Sequence, residues 1–167
     1  MENSNNLGQQ TFNTLQKLGY FNAHGVYWTK GVSFQLRKPY IAADLGVAII
    51  PKDQNSDGRI WIGFSIKQKK RLSTNIAFNY PEVFASLRFQ KELASNFKSL
   101  NDNKYRKVKL EWNESFEALH FVLPANTTSR EVQERRLDNF MQAFRSTLIQ
   151  FNMVELASLF DKEEVYV

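Results

Sequence analysis

Asp44 and the triplet Ser65-Ile66-Lys67 are the residues whose types and spacing come nearest to a known reaction. Restriction-type nucleases hold a divalent metal with an Asp on one strand and an acidic-x-Lys triplet on the next. Here the Asp and the Lys are in place, and Ser65 stands where the second carboxylate belongs. A hydroxyl is a poor substitute for a carboxylate on a hard divalent cation. The pattern predicts at most a degenerate nuclease, with no Mg²⁺-dependent cleavage, and makes Asp44 a partner for a neighbouring cation. Glu111 beside Lys109 runs in the reverse order and does not repair the triplet. His24 and His120 lie far apart, and there is no Cys to complete a zinc site. No nucleophile elbow, Walker loop or dinucleotide glycine pattern occurs. The expectation is a chain with no catalytic residue, no metal and no cofactor.

Binding chemistry is better represented. Residues 59–109 hold twelve Lys or Arg against three acids, a local charge of +9. The first 58 residues carry +1 and residues 110–167 carry −5, so the net charge of +5 hides a basic middle and an acidic end. Such polarity points to an anionic partner, nucleic acid first. Lys67, Lys69, Lys70 and Arg71 form one cluster, and Lys104, Arg106, Lys107 and Lys109 form another. If the two meet in space, they make one patch able to follow a phosphate backbone and release its counterions. A charge run is more often a solvated loop that blunts a sheet edge.

Arg59, Trp61 and Lys67 alternate with Ile60, Ile62, Phe64 and Ile66. If the apolar set faces the core, Trp61 lies between two cations on the other face, the composition of a base-stacking platform. A helix covering that face would instead make Trp61 ordinary core. Two substantial helices and fourteen Phe to bury weigh toward the covered face. The phosphate contacts expected are Arg59, Lys67, Lys69, Lys70, Arg71, Arg106, Lys107 and Lys109, and Trp61 is a stacking residue if its face is open.

These residues need elements to hold them. Tyr40–Ile50 alternates, with Ile41, Ala43, Leu45, Val47 and Ile49 on one face and Asp44 and Gly46 on the other. Its partner strand is Arg59–Lys67, across a loop containing Asp-Gly. Val26–Thr29 and Val32–Leu36 flank Lys30-Gly31 as a further hairpin. Lys107–Trp112 and Leu119–Leu123 complete about six strands. The spacing predicts a short helix carrying Phe12, Leu15 and Leu18 and ending at Gly19, and one helix over Tyr80–Leu100. A long final helix follows, capped by Ser129, with an apolar stripe from Val132 to Phe151. Asn152 with Glu155 reads as a capping box that restarts the helix through Leu156 and Phe160. The sum is an α+β fold, an antiparallel sheet with two main helices packed on one face.

At 167 residues the chain suits one domain, residues 11–167, after a flexible terminus over residues 1–10. A composition that is 43% hydrophobic supplies an ample core. The absence of Cys fits a reducing compartment. The polar first ten residues lack the apolar core of a secretory signal, and no run approaches the roughly 20 apolar residues of a membrane span. A cytoplasmic protein with no membrane partner is expected.

From the basic helix onward the chain resembles an uncharacterised bacterial domain family found alone or C-terminal to restriction-endonuclease-like modules. The residues that carry the resemblance are Phe84-Ala-Ser-Leu-Arg-Phe89, Asn96-Phe97, Leu110-Glu-Trp112, Leu119-His-Phe-Val-Leu123 and the aromatic helix Leu137–Phe151. The upstream strands from Tyr40 to Lys67 fit the same layout. The resemblance implies restriction or phage-defence biology and no catalytic residues. On this reading the chain is a non-catalytic, nucleic-acid-associated accessory or modulator. The alternative is an interaction module that oligomerises, or docks on a larger defence protein through its acidic end and long apolar helix.

Overall fold

The computed structural model describes residues 3–21, 34–36, 43–51, 59–68, 80–100, 109–113, 118–124 and 130–162. The chain is α+β. Helix α1 spans Asn3–Lys17, strands β1, β2 and β3 span Phe34–Leu36, Ala43–Pro51 and Arg59–Gln68, and helices α2 and α3 span Tyr80–Ala85 and Leu87–Leu100. Strands β4 (Lys109–Asn113) and β5 (Ala118–Pro124) follow, then helices α4 (Arg130–Gln150) and α5 (Val154–Ala157) and a final 3-10 turn, Ser158–Phe160.

Five strands form one antiparallel sheet in the order β1-β2-β3-β5-β4. Six were expected; the strand Val26–Thr29 lies outside the described residues, as do Lys30-Gly31 and Ile41. Leu45, Val47 and Ile49 pair with Ile66, Phe64 and Ile62, and all six are buried. Leu119 and Phe121 extend the same face across β5. The apolar side of the alternation therefore faces the core, as the periodicity predicts. A one-residue slip would have exposed Val47 and buried Asp44, yet Val47 is fully buried and Asp44 only partly.

The helices lie on this apolar face, and their contacts are largely aromatic. Phe64 stacks on Phe144 at 4.3 Å, and Phe121 stacks on Phe140 of the same helix. Phe84, Phe89 and Phe160 close around Phe144 edge-on. Each buried Phe contributes about 1.5–3 kcal/mol relative to exposure. Leu137, Phe140, Met141, Phe144 and Leu148 are all buried, so the stripe of α4 is occupied within its own chain.

Three helix boundaries differ from expectation, each for a local reason. Helix α1 begins at Asn3, inside the stretch read as a frayed terminus. Phe12 and Leu15 anchor its second half in the core, and extending an anchored helix adds one backbone hydrogen bond per residue without a new nucleation cost. Its end is as expected. Gly19 has φ 103°, its N–H donates to Gln16 O, and Tyr20 N–H donates to Leu15 O, which is a Schellman closure.

The single helix expected over Tyr80–Leu100 breaks at Ser86. Phe89 N–H donates to Ser86 Oγ, so this side chain caps a new helix, a signal the apolar spacing concealed.

Asn152 is a C-terminal rather than an N-terminal residue. At φ 62° it closes α4, with its N–H on Ile149 O and Met153 N–H on Leu148 O. Met153, without a side-chain cap, precedes α5. Asn tolerates the left-handed region better than most residues, and that use outcompetes the capping box.

Tyr20 joins three segments. Its hydroxyl donates to Asp138 Oδ1 at 2.6 Å, and the same carboxylate accepts from Gln142 and Lys162. Burial, and then the hydrogen bond and charge of Asp138, push the phenol well above its ordinary range. The unfolded chain ionises this phenol near pH 10, whereas the folded one keeps it neutral. The stabilisation is therefore complete below about pH 10 and is lost as pH rises beyond it. Tyr20→Phe should cost about 0.5–1.5 kcal/mol at neutral pH and should flatten the alkaline limb of a denaturation series. An unchanged alkaline limb would refute this account.

Candidate nucleic-acid interface

Strand pairing decides which cations can act together. Asp44 lies directly opposite Lys67, and Ser65 is opposite Gly46 one step along the same face. Asp44, Ser65 and Lys67 thus share the outer face of β2 and β3. Among the described residues no group of three His, Asp or Glu could hold a metal ion.

At the other end of β3, Trp61 is opposite Val122, which is opposite Lys109. Arg59 begins β3 at that same end, opposite Pro124. Lys67 and Lys109 are therefore at opposite ends of the sheet. Six residues separate the level of Trp61 from Lys67, about 20 Å along the strands, and two strand spacings add about 10 Å across. The condition that the two clusters meet fails at their strand ends. The chain enters β4 beside Arg59, while it leaves β3 beyond Lys67. Lys67 is exposed. Lys69, Lys70, Arg71, Lys104, Arg106 and Lys107 lie outside the described residues, and for Arg59 and Lys109 only the strand positions are described.

The middle of this outer face is closed. Gly46, Gly63, Ala118 and His120 are buried, His120 at only 5% exposure. A Cβ placed on Gly63 would lie 2.7 Å from Cδ2 of His120, so the glycine lets the imidazole lie against the neighbouring strand. Trp61 is half-buried, with its ring edge-on to His120 at 5.3 Å. An open stacking platform centred on Trp61 is not what this face presents. His120 is a packed residue.

A separate cleft of about 530 Å³ is lined by Tyr20, Met141, Gln142, Arg145, Phe160 and Lys162, among others. Its cations are engaged within the chain. Arg145 pairs with Asp161 at 2.9 Å, and Lys162 pairs with Asp138 at 2.7 Å while lying over the Tyr20 ring. These contacts strap the end of the described chain onto α4.

Arg88 and Lys91, which belong to the basic stretch but not to the expected phosphate contacts, are exposed on α3. Their spacing of three on a helix was the available signal. Among the described residues no helix is long and apolar enough to cross a membrane. No family model, curated protein or solved structure matches the chain.

Proposed function

We propose that the chain is a non-catalytic, nucleic-acid-associated accessory or modulator acting in restriction or phage-defence biology. The observation that carries this reading is the segregation of charge, +9 over residues 59–109 against −5 over residues 110–167. Phosphate neutralisation by such a block gives affinity without base recognition. The biological setting is the one implied by the family resemblance. Because Lys67 and Lys109 are far apart, the sheet-end cations act as two contact points on one backbone rather than as a single patch. Arg59 and Trp61 belong to the Lys109 end, and Lys69, Lys70 and Arg71 follow Lys67.

The interaction-module reading has less support, because the apolar stripe of α4 is buried in its own core. It retains Leu87, Ile149 and Val154 as exposed large apolar side chains.

Charge reversal separates the two. Lys69→Glu with Lys70→Glu should weaken binding of a labelled oligonucleotide at least about tenfold, on the order of 1.4 kcal/mol. The variant should also show a shallower dependence of affinity on salt, since fewer counterions are released. Unchanged affinity with an unchanged circular dichroism spectrum would remove these cations from the reading. An apolar protein interface would instead bind almost independently of salt.

A further inference from the structure

We infer that the exposed face of α3, bearing Arg88 and Lys91, is a phosphate-contacting surface for a nucleic-acid backbone, separate from the cations at the sheet ends. The inference rests on the nucleic-acid reading above and adds a site to it. Three other exposed cations of the helical layer are neutralised by acids: Lys17 by Glu134, Arg145 by Asp161 and Lys162 by Asp138. Arg88 and Lys91 are exposed and form no ion pair among the described residues. The contact of Arg88 is with a ring, its guanidinium carbon lying 5.3 Å from the centroid of Phe151. A cation–π contact orients a guanidinium without neutralising it.

The surface is also held rigidly. The Ser86 cap fixes the start of α3, and Asn96 Nδ2 donates to Thr147 Oγ1 and Gln150 Oε1 of α4. At a spacing of three, the two cations are neighbours about 5–6 Å apart at Cβ. Ser95, exposed one turn beyond Lys91, adds a hydroxyl. Of the acids on α2 and α3, Glu82 is exposed and Glu92 half-buried. No acid lies in the first turn of α3, so the partial positive charge of its amide end adds to the two cations instead of being offset. Arg135 on α4 is also exposed and without an ion pair among the described residues, but Arg88 and Lys91 are two adjacent cations and so present the stronger local positive field to an outside anion. Two adjacent exposed cations on one helix suit a polymer making several simultaneous contacts better than a free phosphate ion.

The experiment measures binding of a labelled mixed-sequence oligonucleotide, as single-stranded DNA, duplex DNA and single-stranded RNA, with inorganic phosphate as competitor. Arg88→Glu with Lys91→Glu should lower affinity at least about tenfold for whichever form binds, and lower the salt slope by about two. Lys91→Glu alone, which leaves the Phe151 contact intact, should give a partial loss with an unchanged melting temperature. Arg88→Lys with Lys91→Arg should retain binding. Competition by millimolar inorganic phosphate alone would overturn the assignment to a polymer. If Lys69→Glu with Lys70→Glu weakens binding but the α3 reversals do not, the α3 site is wrong and the broader reading survives. If the native chain binds none of the three forms at about 50 mM salt, both readings fall.

Discussion

Phe144→Ala should destabilise the fold by about 3–5 kcal/mol, a large share of the roughly 5–15 kcal/mol that holds a domain of ordinary stability. Phe144 is fully buried at the point where the sheet and four helical segments converge. It stacks on Phe64 of β3 and meets Phe84 of α2, Phe89 of α3, Phe140 of α4 and Phe160 of the final turn. Rigid rings on all sides cannot collapse into the space left behind, so the cavity cost adds to the lost transfer energy. Urea denaturation should show a lower midpoint with an unchanged slope. Phe151→Ala, at a half-buried ring, should cost distinctly less. A Phe144→Ala cost below about 1 kcal/mol would mean that the aromatic cluster does not organise the core.

Gly63→Ala should cost about 1–3 kcal/mol, against the usual tendency of alanine to suit a strand interior better than glycine. The added methyl would stand 2.7 Å from Cδ2 and 3.1 Å from Nε2 of His120. The imidazole is buried and has Trp61 at its edge, so it cannot simply swing into solvent. A double-mutant cycle tests the cause. If the imidazole is the obstacle, His120→Ala should remove most of the penalty of Gly63→Ala. A penalty that persists in the His120→Ala background would place the strain in the backbone instead.

Much of the sheet was legible because its signal is local. A strand exposes alternate residues to opposite faces, so the series Leu45, Val47, Ile49 and Ile62, Phe64, Ile66 states its own inward side. Gly19 marked a helix end for an equally local reason, a left-handed residue closing the last carbonyls. Local signals failed where two of them competed. Ser86 lies within a continuous apolar helical pattern, and its hydroxyl cap was hidden by that pattern. Asn152 suits both a helix start and a left-handed helix end, and only the backbone conformation separates these uses.

The sequence by itself determined that the chain is α+β, that β2 and β3 pair across the turn, and that positive charge concentrates between residues 59 and 109. It could not determine which of those charges are neighbours. That depends on β5 pairing between β3 and β4, which aligns Lys109 with Trp61 and leaves Lys67 at the far end beside Asp44. The periodicity of a strand encodes which side faces the core, but not which strand lies beside it or in which direction it runs. Ion pairing is equally tertiary. Lys17 and Glu134 are 117 residues apart in sequence and 2.8 Å apart in space, whereas Arg88 and Lys91, indistinguishable from other cations in the sequence, remain without an acidic partner among the described residues. Charge is a property of composition, but an available charge is one that no folded neighbour has neutralised.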